Sequence, residues 1–174
     1  MPRWPDLLQF WRAAEANARD LIADAEILLE KERWPRAYAL AVLAYEEFGK
    51  GLMAMALVAA NPSLVTPAHL RELKEGHIRK LMSAYEHEAM VGAPEQWATV
   101  SQSRENAREA NLLKQRGFYV DVSDDGSLRE PSEIGRDEAR TLVARAHRMI
   151  HTPGIRSMPF WLPSTVCSQA DDQE

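Results

Sequence analysis

Apolar residues recur at three- and four-residue spacing along most of this chain, and that period predicts helices. Leu7, Leu8, Trp11, Ala14, Ala18, Leu21, Ile22, Ala25, Leu28 and Leu29 form one stripe, which predicts a first helix from Pro5 or Asp6 to about Glu32. Pro5 suits the first turn of a helix. Pro35 breaks the pattern and can begin a second helix, about Arg36 to Ala60, ended by Asn61 and Pro62. Thr66 and Pro67 read as an N-cap and the first residue of a third helix, which runs to about Met90 and is weakened at Gly76. A fourth helix, about Glu95 to Gln115, places Trp97, Val100, Ala107 and Leu112 inward, and Gly117 stops it. The period then changes. Phe118 to Val122 is extended in character, and Ser123-Asp124-Asp125-Gly126 is a turn. A last helix, about Glu133 to His151, turns Ile134, Ala139, Leu142, Val143, Ala146, Met149 and Ile150 inward, and Pro153-Gly154 ends it. The expected fold class is all-α: an antiparallel bundle of about five helices with a short extended segment near 118–122.

The second helix breaks the usual rule for such bundles. Between Ala37 and Ala60 the only charged side chains are Glu46, Glu47 and Lys50. A helix that is apolar nearly all round is normally buried, and buried charges must be paired and hydrogen-bonded. Glu47 shares a stripe with Leu40, Leu43, Ala44 and Ala54, while Glu46 lies on the line of Ala39, Val42 and Met53. At least one carboxylate is therefore expected to point into the bundle. Gly49 and Gly51 are poor helix formers that let a neighbouring helix or a ligand come close. The bland alternative is a half-buried ion pair, because both glutamates are spaced to reach Lys50.

Length and composition narrow the classes. The 174 residues fit one domain, expected over 1–156, with a tail over 157–174. The run SMPFWLP suits docking on the bundle or on a partner, and the last residues are expected to be mobile. The net charge of −5 gives no global basic character, so RNA contact needs a local basic patch. A single cysteine, Cys167, supplies no disulfide framework and suits a reducing cytoplasm. The N-terminus is charged too early for a signal peptide, and no clean stretch of about 20 apolar residues predicts a membrane span.

His77 and Lys80 share a face of the third helix, where a buried carboxylate pair finds cationic partners. Arg104, Arg108, Lys114 and Arg116 line the fourth helix, either as a solvated outer face balanced by Glu105 and Glu109 or as a cationic wall for a phosphate backbone. Glu-x-x-His, the mark of di-iron carboxylate bundles, does not occur. Glu46, Glu47 and His77 remain open as a set for a single divalent ion, but no metal or cofactor is expected. No Gly-x-Ser-x-Gly or phosphate loop is present.

The segment NARDLIADAEILLEKERWPRAYALAVLAYEEFGKGL, followed by HIRK, LLKQRGFYVDV and EPSEIGRDEARTLVARA, resembles the AbiV family of abortive-infection proteins over roughly residues 14–150. That family belongs to the HEPN superfamily of helical bundles. The resemblance implies a bacterial phage-defence protein that is cytoplasmic and homodimeric and acts on RNA or translation. HEPN proteins often cleave RNA without a metal, through an Arg-x(4–6)-His motif shared across a dimer. Arg71 to His77, Arg140 to His147 and Arg145 to His151 all fit that spacing. Arg140 and His147 share a face of the last helix and form an alternative catalytic pair, although Thr141 stands where such motifs carry Asn, Asp or His. The residues that carry the resemblance point to Glu47, His77, Lys80, Lys114, Tyr119 and Asp121 as the catalytic set, with His77 as acid/base and Glu47 orienting a cation or the histidine. Lys50, Arg104, Arg108 and Arg116 are the expected RNA-binding residues. The alternative function is a non-catalytic module that binds a host or phage protein through a helical-bundle dimer.

Overall fold

The computed structural model describes residues 6–60, 65–91, 100–131 and 134–152. Trp97, the tail from residue 157 and the side chains of Val100 and Asp121 lie outside what is described. Helix α1 spans Leu7–Glu30, and its N-cap Asp6 accepts from the amides of Leu8 and Gln9 at 3.0 and 3.2 Å. Helix α2 spans Trp34–Ala60, with Pro35 in its first turn. The two pack along each other in the most extensive contact of the fold.

The expected third helix is two helices, α3 (Pro67–Glu75) and α4 (His77–Val91). Gly76 separates them with a ψ of 63°, which turns the chain out of the helical path. Thr66 caps α3 in a reciprocal box with His69, at 3.3 Å and 3.2 Å. Helix α5 spans Val100–Phe118 and runs through Gly117 instead of stopping there. A Cβ at Gly117 would lie 2.5 Å from the Pro35 carbonyl oxygen, so this glycine serves close approach to α2, not termination. The extended segment is a small hairpin, in which β1 (Asp121–Val122) runs antiparallel to β2 (Leu128–Arg129). Gly126 takes the left-handed conformation its turn requires, with φ 81°. Helix α6 spans Arg136–His151. The architecture is an all-α bundle of six described helices, one more than the pattern predicts because of the break at Gly76.

Helix α2 is the central element and packs on α1, α4, α5 and α6. Much of the core it shares is alanine, including Ala37, Ala41, Ala44, Ala84, Ala107 and Ala146. Small side chains at these positions let helix axes approach. Every residue expected inward on the last helix is buried, although Ile134 precedes α6, which begins at Arg136 rather than about Glu133. Leu112 is a correction: it is expected inward and is 48% exposed, and Leu8 on the α1 stripe is 39% exposed. Leu112 falls off the line of Ser103, Ala107, Ala110 and Lys114 that α5 turns to the bundle.

A polar lock fixes α6. Arg145 donates to both carboxylate oxygens of Glu88 on α4, at 3.0 and 2.7 Å, and lies over the Tyr85 ring. Tyr85 stacks on Tyr45 of α2 with ring centroids 5.1 Å apart. Burial pushes the phenols of Tyr38, Tyr45 and Tyr85 up from the ordinary tyrosine value, that of Tyr85 to about 12.

Candidate functional site

The site begins with a run of small and buried residues on α2. Ala39, Val42, Glu46 and Gly49 follow one another at alternating three- and four-residue steps, the seam along which another helix approaches. At Gly49 the approach is closest. A Cβ there would sit 1.8 Å from the Lys80 carbonyl oxygen and 3.2 Å from the Ala84 amide nitrogen, so the α4 backbone lies directly on α2. That contact brings the first turns of α4 beside Glu46. From the other side, Gly117 lets the end of α5 close onto α2, which brings Lys114 to the same carboxylate.

Glu46 is only 4% exposed and both its oxygens are engaged. Oε2 pairs with His77 Nδ1 at 2.7 Å, and Oε1 accepts from the Lys114 ammonium. Lys114 is itself buried. His77 is different: 55% of its side chain is open to solvent. Because Nδ1 faces a carboxylate, it carries the proton, which assigns the neutral ring its tautomer and leaves Nε2 as the acceptor.

Lys80 is buried next to this pair. Its ammonium donates to the carbonyl of Lys74 at 2.8 Å, one of the carbonyls left unpaired at the end of α3. Burial pushes the Lys80 ammonium down from the ordinary lysine value; Glu46 and Glu47 oppose this, and Lys50 and Lys114 add to it. These five charges act on one another within one cluster. Lys50 and Glu47 complete it as a half-buried pair at 2.5 Å, with Lys50 over the Phe10 ring. The cluster holds two carboxylates and three ammonium groups.

The expected set is therefore brought together in part. His77, Lys80, Lys114, Glu47 and Lys50 share the cluster. The carboxylate on His77 is Glu46, not Glu47, because Glu46 lies on the α2–α4 seam while Glu47 is turned one step toward solvent. Arg104 and Arg108 are exposed along α5, and Arg116 is half-buried. Tyr119 is 67% exposed beyond the end of α5. Asp121 pairs through its backbone with Arg129 on β2. Among the described residues no group of three or more His, Cys, Asp and Glu side chains is arranged to hold a metal ion.

The alternative pair lies elsewhere. His147 bonds Glu26 of α1 at 2.7 Å and stacks on His151, and Arg140 is an exposed residue seven positions before it on α6. Arg145, which precedes His151 at the same kind of spacing, is held by Glu88 inside the lock.

A family model described as AbiV, a HEPN family, matches residues 6–151. The chain belongs to the AbiV family. The match covers every described helix up to the end of α6, so the Glu46 cluster, the lock and the hairpin all lie within AbiV-family sequence. No curated protein and no solved structure matches the chain. Among the described residues no helix is long and apolar enough to cross a membrane.

Proposed function

We propose that this AbiV-family protein acts in abortive infection by cutting RNA without a metal, with His77 as its proton-transfer group. The observation that carries the reading is the Glu46–His77 pair: a buried carboxylate fixes one ring nitrogen of a solvent-exposed histidine. That arrangement orients an imidazole for proton transfer at Nε2. In the proposed step Nε2 takes the proton of a ribose 2′-hydroxyl. The 2′-oxygen bonds to the neighbouring phosphorus, the bond to the 5′-oxygen breaks as that oxygen takes a proton back from the His77 imidazolium directly or through water, and the products are a 2′,3′-cyclic phosphate and a 5′-hydroxyl. The excess of ammonium groups around Glu46 favours an anionic substrate and the charge that builds on the phosphoryl oxygens. The protein is proposed to work in the cytoplasm as a homodimer, with Lys50, Arg104, Arg108 and Arg116 along the RNA path.

One observation favours the binding-module reading. The Lys80 and Lys114 ammonium groups are both bonded to oxygens inside the fold, as in a network that fixes helix register. Phage plating separates the two. In cells expressing His77→Gln at wild-type levels, the proposal predicts that protection is lost together with RNA fragmentation during infection. Full protection by that variant would support the binding module.

A further inference from the structure

The hairpin after α5 carries a surface that neither the cluster nor the lock uses. Val120, Val122 and Leu128 are 63%, 60% and 69% exposed. Val122 stands opposite Leu128, so these two side chains share one face of the hairpin, and Val120 immediately precedes β1. Large apolar side chains grouped in this way mark an interaction surface rather than the scattered exposure of an ordinary monomer. Tyr119, also exposed, borders it.

The charge around this face selects the partner. Residues 118–131 hold Asp121, Asp124, Asp125 and Glu130 against Arg129, a net −3. Asp124 and Asp125 line a shallow depression at the turn together with Ser123, Ser127, Leu128 and Arg129. Hydrogen bonds from Ser127 hold the Asp125 carboxyl below its ordinary value, so it stays ionised. A two-fold contact between copies would set −3 against −3, which repels. A basic partner meets the opposite charge.

We propose that the hairpin face is a docking site for a segment of another protein in which apolar residues alternate with lysine or arginine. The apolar side chains would cover Val120, Val122 and Leu128, and the cations would meet Asp124 and Asp125. A two-residue ladder with an open face gains support from such a cover. The surface follows directly on the helix that carries Lys114, so an occupant would sit at the end of α5.

The test uses the full chain labelled with nitrogen-15 and a short peptide alternating valine with lysine. A second peptide carries glutamate in place of lysine. The expected result is that the lysine peptide shifts amide resonances of residues 119–129 and the glutamate peptide does not. Val120→Ser with Leu128→Ser should weaken the lysine peptide about tenfold, and Asp124→Asn should weaken it without altering thermal unfolding. No shift with the lysine peptide, shifts outside the hairpin, or equal binding of both peptides would overturn the proposal. So would a dimer in sedimentation that Leu128→Ser converts to monomer, since the occupant would then be a second copy.

Discussion

Glu46 is a single side chain on which two helices converge. Removing it leaves the Lys114 ammonium buried without its partner, and a broken buried pair costs about 3–5 kcal/mol. Glu46→Ala should therefore lower stability by that amount in urea unfolding, whereas Glu46→Leu combined with Lys114→Met should recover most of it. If the double variant is as unstable as the single one, the cost does not come from the unpaired charge. Gly49 has no such remedy. Its missing Cβ is filled by the Lys80 carbonyl, which is backbone, so Gly49→Ala must push α4 from α2. We expect a loss of about 3 kcal/mol or more and a weakened His77–Glu46 contact, visible as a changed histidine resonance. At this scale the sequence was legible only in part. That a carboxylate of the pair must be buried followed from the apolar run around it. Which one was buried depended on the seam of Ala39, Val42 and Gly49, whose small residues invite a neighbouring backbone. Glu47 shares its own stripe with larger apolar residues, and stripe hydrophobicity alone favours it.

Elements were more legible than their junctions. The period of apolar residues located α1, α2 and α6, and Asp6 and Thr66 cap the helices they precede. Glycine carried the ambiguity. Gly76 breaks a helix and Gly117 does not, because the first meets a turn of its own chain and the second meets Pro35 across the bundle. Sequence spacing cannot tell these cases apart. Nor did it reveal the Arg145–Glu88 lock, whose residues are 57 positions apart. Removing Arg145 strips two charge-assisted hydrogen bonds and the contact over Tyr85. Arg145→Ala should cost about 1–3 kcal/mol and lower the melting temperature by several degrees. The loss should fall on the docking of α6, seen as faster amide exchange across Arg136–His151 than across α1. Uniform exchange in the variant would show that α6 is not held by this pair.

The whole molecule should respond to alkali through its buried phenols. Tyr38, Tyr45 and Tyr85 have raised values in the fold, so above about pH 10 the unfolded chain releases protons that the folded chain keeps. Stability is complete below that pH and falls as pH rises toward 12, by roughly 1.4 kcal/mol per pH unit for each proton. Lys80 acts in the opposite sense, because its lowered value means the folded chain binds less of that proton near pH 10. The net slope should therefore be smaller than three phenols alone would give, and Tyr85→Phe should reduce it further. Denaturant unfolding at pH 9.5 and 11.5 measures this, and equal stability at both would contradict the burial of these rings.

The central claim is that the histidine held by Glu46 transfers the proton in RNA cleavage. The most direct measurement is cleavage of RNA by the purified full chain in the presence of EDTA, comparing wild type, His77→Ala and His147→Ala at matched thermal stability. The account predicts cleavage by wild type and by His147→Ala, 2′,3′-cyclic phosphate ends on the products, and a fall of about a hundredfold or more in His77→Ala. Undiminished cleavage by His77→Ala, or a loss that follows His147 instead, would contradict it.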